Sequence, residues 1–357
     1  MGSESNKLSP QENSVRRFSW GRLTVKLLAF FGLAGVGLYL LQIYSRPDVD
    51  LDRTKPLSIS STDIGTGNSG SNSNSDNSDQ NSSDTNSDPN VVESELPKGA
   101  VTARVNQKII DQAEHPFDPL AEIAQLSLAE IDKNIQDYTT TLVSQVRVKG
   151  KLQDEKYVFC KIRHARSVGE LEGKKDIPFS VYTLFLKPKA NVGQEAIWVD
   201  GWHEGNLVAH TTGMMNLKIF YLDPDGTLAM DGNLHPIREI GFRNLMLKMA
   251  ELTKNSQEHG ECTVKLKRNV EVNGVKCTVF EVVHPVKRDH FENHIARIYI
   301  DDSENIPIAY EAYLWPEKEG GQPPLLEKYY YTDLKLNVGL THDDFQADNK
   351  EYNYPKW

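Results

Sequence analysis

The sequence predicts an α+β domain: a curved antiparallel sheet, an unclosed β-barrel of about nine or ten strands, with one helix before it and a central helix over its concave face. Three observations carry this. Strand-like runs bounded by Gly, Pro, Asn or Asp succeed one another through the second half of the chain, joined by turns too short for parallel crossovers. Two stretches only, 119–136 and 236–254, change to a helical period. The run at 178–201 reads as two strands, the first apolar on both faces: Phe179, Val181, Thr183 and Phe185 point one way, Tyr182, Leu184 and Leu186 the other, before Ala196, Ile197, Trp198 and Val199 begin the second. Such a strand needs an apolar cover on each side, which a helix, another sheet or a ligand can supply. A sheet of this size curls.

In chain order, residues 1–26 read as a basic cytoplasmic tail, with Arg16, Arg17, Arg22 and Lys26 near its C-terminal end. Residues 27–44, LLAFFGLAGVGLYLLQIY, carry no charge and would reach about 27 Å as a helix, close to the hydrocarbon thickness of a bilayer. They read as a transmembrane signal anchor, separate from the domain. A buried soluble helix and a cleaved signal peptide are the alternatives. The long polar stretch before the segment and the lack of a small-x-small site in QIYSRP favour a retained span. The basic flank orients the N-terminus to the cytoplasm and the rest outside it, in the periplasm or beyond. Residues 45–97 read as a disordered tether rich in Ser, Asn and Asp, too polar to offset the entropy of ordering. About fifty such residues span roughly 40 Å.

Residues 98–357 form the β-rich domain. Leu120, Ile123, Ala124, Leu128, Ile131 and Ile135 make a helical stripe. The period then falls to two, with Tyr138, Thr140, Leu142, Ser144, Val146 and Val148 on one face; Lys149-Gly150-Lys151 turns the chain and 156–163 returns it. Residues 209–213 read as loop or short strand, and 215–222 as a strand ending in the turn Asp223-Pro224-Asp225-Gly226. In the central helix Pro236 suits the first turn. Its stripe is Ile237, Ile240, Gly241, Leu245, Met249 and Leu252, with Met246 at the edge. Asn273-Gly274 is a two-residue hairpin turn that pairs Val272 with Val275 and Cys277 with Val270. Cys262 then lies too far along to bridge Cys277, so Cys160, Cys262 and Cys277 read as thiols used as small apolar residues. Three more strands come next, and 343–357 reads as a polar, irregular tail.

The net charge of −10 and the lack of a basic cluster argue against nucleic acid. His290 and His294 are four apart, but in a strand that is about 13 Å, too far for one metal. Asp223 to Leu234 departs from a calcium loop at its sixth and twelfth positions. Asp200, His203 and Glu204 could form an acid–base group, or simply a polar turn. No nucleophile elbow, phosphate loop or dinucleotide turn is present, and no cofactor, metal or catalytic residue is expected. What remains is apolar capacity. Phe179, Val181, Phe185, Trp198, Phe242, Met246 and Met249 are placed to line the inside of a curved sheet, where they would form either a pocket for acyl chains or a dry core.

The motifs Asp137-Tyr-Thr139, Val148-Lys-Gly-Lys-Leu152, Pro178-Phe-Ser-Val-Tyr182, Trp198-Val-Asp-Gly201, Leu222-Asp-Pro-Asp-Gly-Thr-Leu-Ala-Met230 and His235-Pro-Ile237 together resemble a family of unknown function found in planctomycete envelope proteins. The order of elements is also distantly similar to the lipoprotein-localisation factor superfamily of LolA- and LolB-like proteins. That likeness implies a helix followed by a curved sheet whose hollow holds lipid acyl chains. The expected function is a membrane-anchored, non-catalytic envelope protein that binds a lipid or lipoprotein acyl group. The alternatives are a sensor or scaffold that binds an envelope protein through the same sheet, and a hydrolase of cell-wall or lipid material.

Overall fold

The structure is a computed structural model that describes residues 59–60, 108–109, 111, 117–167, 176–213 and 218–356. The expected span at 27–44 lies outside the described residues, as does the expected tether apart from 59–60. Among the described residues, no helix is long and apolar enough to cross a membrane.

Among the described residues, thirteen strands form one antiparallel sheet. They are β1 (Ile59–Ser60), β2 (Asp137–Val148), β3 (Lys151–Leu152), β4 (Lys156–Arg163), β5 (Ser180–Lys187), β6 (Glu195–Val199), β7 (Leu207–His210), β8 (Phe220–Leu222), β9 (Thr263–Val272), β10 (Val275–Val283), β11 (Ile295–Asp301), β12 (Pro307–Tyr313) and β13 (Leu325–Leu336). Two helices, α1 (Asp118–Asn134) and α2 (Phe242–His259), pack on each other. The sheet runs β1-β9-β10-β11-β12-β13-β2-β4-β5-β6-β7-β8, with β3 paired to β2. Its two ends do not meet, so the barrel is unclosed. The count exceeds the expected nine or ten chiefly through the two-residue strands β1 and β3, whose length lies below any periodicity. β1 falls inside the stretch read as tether and pairs with Val272 and Glu271.

The helix, then curved antiparallel sheet, then covering helix is the order that the LolA-like resemblance implied. The hairpin register also agrees with the sequence: Val275 faces Val272 and Cys277 faces Val270. Asn273 and Gly274 take φ of 50° and 82° there, the left-handed pair that a two-residue turn demands. All three cysteines are unbridged.

The central helix starts later than its stripe suggests. Pro236 precedes a single 3-10 turn at Ile237–Glu239, and α2 begins only at Phe242. Gly241 breaks the two apart at φ +123°; a Cβ there would lie 2.9 Å from the Tyr138 hydroxyl. That hydroxyl accepts the Phe242 N–H at 3.2 Å, filling one of the donor vacancies at a helix start. The expected strand at 215–222 shortens to β8, with 214–217 outside the described residues.

The tail is the second correction. Phe345, Tyr352 and Tyr354 are buried and close over the outer face of β5–β7, against Tyr182, Ile197, Val199 and Val208. Tyr352 stacks on Tyr182 with ring centres 4.1 Å apart. Asp137 anchors the approach, its carboxylate accepting the N–H groups of Gly339 and Leu340 at 3.0 and 3.2 Å. So the outer cover of the doubly apolar strand is the chain's own C-terminal segment. On the other half of the outer face a cross-strand ladder replaces apolar packing. Arg297 reaches Glu281 at 2.6 Å and Glu311 at 3.6 Å, and the hydroxyls of Tyr299, Tyr313 and Tyr330 donate to Glu311.

Candidate functional site: a cavity under the central helix

Strand alternation sets the inner face. From β2 it takes Tyr138, Thr140, Leu142, Ser144 and Val146; from β4, Lys156, Val158, Cys160 and Ile162; from β5, Val181, Thr183 and Phe185. One end of this face is filled. Phe242 stacks on Tyr138 at 4.1 Å, and both are fully buried. The other end is open, and there a cavity of about 860 Å³ lies between the sheet, α2 and the segment 228–241. That is the size of a small-molecule or lipid site. Leu142, Val146, Val158, Phe185, Leu207 and Ala209 form its floor, and Ile237, Ile240, Leu245 and Leu247 its roof. Leu228 and Leu247 border the cavity while exposed to 76% and 44%, which marks them as its lip.

Lys156 holds the roof segment down. Its ammonium donates to the carbonyl of Gly232 and to Asn233 Oδ1, each at 2.7 Å. Burial pulls the Lys156 pKa down, opposed by Asp231. Arg238 forms a two-pronged contact with Asp225 at 2.8 and 2.9 Å, tying the 3-10 turn to the turn after β8.

One wall is polar. Glu327, from β13, is almost wholly buried and accepts from His235 Nε2 at 2.7 Å and from the Tyr329 hydroxyl at 3.1 Å. His235 Nδ1 lies 3.3 Å from Glu239. Lys248 Nζ stands 3.7 Å from Glu327 and 3.9 Å from Glu292. Burial alone would raise the Glu327 pKa; the His235 hydrogen bond and the Lys248 charge outweigh it and hold the carboxyl below its ordinary value. Tyr310, opposite Tyr329 in register, borders the same wall. Its phenol is pushed well up by burial, then by Glu327 and Glu292.

Of the seven residues expected to line the hollow, Phe185 does so. Val181 and Trp198 lie on the inner face at its filled end, and Phe179 packs edge-on against Trp198 with centroids 6.0 Å apart. The Trp198 indole donates to the Gly205 carbonyl at 3.1 Å. Phe242, Met246 and Met249 are fully buried in closed core and do not border the cavity. The cavity meets α2 instead through Asn244, Leu245, Leu247, Lys248 and Glu251. The polar wall escapes sequence reading because His235, Lys248, Tyr310 and Glu327 come from four separate elements. The available signal is an acid, Glu327, inside a strand run otherwise rich in tyrosine and leucine.

The other expected motifs fall elsewhere. Asp200, His203 and Glu204 sit exposed in the β6–β7 turn, outside the cavity, where His203 and Glu204 take φ of 50° and 58°. His290 stacks on His259 at 3.9 Å, while His294 Nδ1 meets the His284 carbonyl at 2.8 Å. Among the described residues, no three His, Cys, Asp or Glu side chains gather as a metal site.

Residues 135–354, more than half of the chain, match DUF1571, a protein family of unknown function. The chain belongs to this family. No curated protein sequence matches it. Solved structures give remote likenesses. An outer membrane lipoprotein-sorting protein domain from Vibrio parahaemolyticus is 13% identical, with 63% of this chain and 95% of that chain covered and a TM-score of 0.30. A LolA superfamily protein from Nitrosomonas europaea is 11% identical, covering 62% and 97%, with a TM-score of 0.26. MucB, solved in complex with MucA(peri), is 18% identical, covering 63% and 59%, with a TM-score of 0.36. At these scores the function of this DUF1571 domain has to be argued from its own cavity.

Proposed function

We propose that the domain is a non-catalytic binder of acyl chains that holds the acyl group of a lipid or lipoprotein in the cavity beneath α2. Residues 27–44 would anchor it in the cytoplasmic membrane and 45–97 would let it range over the outer side of that membrane. The observation that supports this is the cavity: about 860 Å³, with aliphatic side chains and Phe185 among the groups of its floor and roof and a lip of exposed leucines. Each buried methylene contributes about 0.8 kcal/mol. A chain of about sixteen carbons would therefore retain micromolar affinity after an association cost of about 4 kcal/mol. The exposed turn at Asp200, His203 and Glu204 lies outside the cavity and lends no support to a hydrolase.

Native mass spectrometry tests the reading. The purified chain, freed of detergent, is incubated with a bacterial phospholipid extract, beside the cavity-filling variants Ala209→Trp and Leu245→Trp. Wild type should retain lipid, and the filled variants should lose it without a lower unfolding temperature. Wild type emerging empty, or Ala209→Trp retaining as much lipid, overturns the proposal; a stoichiometric co-purified protein in place of lipid would favour the scaffold alternative.

A further inference from the structure

The polar wall of the cavity carries two donors that make no close hydrogen bond among the described residues. His235 Nε2 lies 2.7 Å from an ionised Glu327, so that nitrogen carries the hydrogen and has no lone pair for Lys248, 3.4 Å away. Lys248 is left with ionic contacts at 3.7 and 3.9 Å, beyond hydrogen-bonding distance, and no closer acceptor among the described residues. The Tyr310 hydroxyl is a second unspent donor. The residue is 1% exposed, borders the cavity, and its hydroxyl has no hydrogen-bond partner among the described residues. A buried hydroxyl without a partner is uncommon in a folded protein, because its desolvation goes uncompensated. Two donors, one cationic and one neutral, thus stand on one wall of a chamber whose floor and roof also carry aliphatic groups. An amphiphile placed with its chain along the leucine-lined floor would bring its oxygen-bearing end to this wall.

We propose that this wall is a head-group subsite that takes the acyl oxygen of the bound chain, whether an ester or amide carbonyl or a free carboxylate, with the Lys248 ammonium and the Tyr310 hydroxyl as its donors. Glu327 positions Lys248, and the bonds that Glu327 accepts from His235 and Tyr329 fix the carboxylate that holds it. The inference rests on the acyl-chain reading of the cavity and adds the chemistry that its ligand must carry.

Isothermal titration of the full chain, below micelle-forming concentrations, compares three ligands of equal chain length: palmitate, ester-linked palmitoyl lysophosphatidylcholine, and its ether-linked analogue, which lacks only the carbonyl. The wild type should bind the ester or palmitate about tenfold more tightly than the ether, the effect of hydrogen bonds from a charged and a neutral donor. Whichever of the two binds more tightly identifies the source, ester lipid or free acid. Lys248→Met and Tyr310→Phe should each remove most of that preference, bringing ester and ether affinities close together. Tyr310→Phe breaks no hydrogen bond within the described residues, and an unchanged circular dichroism spectrum confirms that it folds. Equal affinity for ester and ether in the wild type, or variants that keep the preference, would overturn the subsite and leave the acyl-chain reading standing. Failure of the wild type to bind any of the three would overturn both.

Discussion

Replacing Gly241 with alanine should destabilise the domain through two separable effects at the start of α2. At φ +123° a residue with a Cβ carries backbone strain of about 1–3 kcal/mol. The new Cβ would also stand 2.9 Å from the Tyr138 hydroxyl, which is fully buried and stacked on Phe242, so the ring cannot simply swing out. Displacing it strands the Phe242 N–H, at a further cost of about 1–3 kcal/mol. The total, about 2–6 kcal/mol, corresponds to a fall in unfolding temperature of about 4–24 °C for a domain of this size. Urea unfolding followed by tryptophan fluorescence gives the free energy, and calorimetry the temperature. Gly274→Ala is the control, because Gly274 has φ +82° with nothing within 4 Å of the added Cβ, and strain is all that it can lose. Tyr138→Phe in the Gly241→Ala background should recover part of the loss, giving a favourable coupling of about 1 kcal/mol in the double-mutant cycle. If Gly241→Ala costs no more than Gly274→Ala and shows no coupling to Tyr138, the steric account of where α2 begins is wrong.

Three further outcomes are expected. Tyr352→Ala, which removes the stack on Tyr182 and the 2.7 Å hydrogen bond to the Asp344 carbonyl, should cost about 3–5 kcal/mol in urea unfolding, although the residue lies in a tail without regular structure. Because the folded-state pKa of Glu327 is depressed, its contribution is fully present above the ordinary value of 4.5 and is lost as pH falls below it; Glu327→Gln should flatten stability against pH in that acid range, read as urea midpoints from pH 3 to 7. Burial raises the Cys160 thiol to about 12 and the Cys277 thiol also upward, so iodoacetamide should modify Cys262 first in the native protein, with the other two reacting only on unfolding, as peptide mass mapping would record.

How far the sequence speaks depends on whether a feature is set locally. The Asn273-Gly274 hairpin, the period-two face of β2 and most of the α1 stripe arise between near neighbours and appear in the structure, although Leu128 is half-buried where Ser127 is buried and Ile135 lies just past the helix. The start of α2 escapes local reading because the deciding contact, Tyr138 against Gly241, joins residues about a hundred positions apart. The tail escapes it for the same reason. Phe345, Tyr352 and Tyr354 are spaced irregularly among polar residues, and only the strands beneath reveal that they form a lid on the outer face. Alternation places Phe185 on the inner face, yet it carries no information on which end of that face the helices fill. Hence Phe242, Met246 and Met249 are core, while Leu245 and Lys248 on the same helix reach the cavity.

The pairing of β13 with β2 has a consequence for how the domain is made. Thr332 and Thr141 lie side by side, although they are 191 positions apart in the chain. The central seam of the sheet therefore waits for the last strand to be synthesised. Until then a nascent chain holds two half-sheets, each with a raw edge where its partner belongs, which is the state most open to mispairing with a neighbouring copy. Slow, late closure and a need for shielding during synthesis result from the order in which the strands are strung.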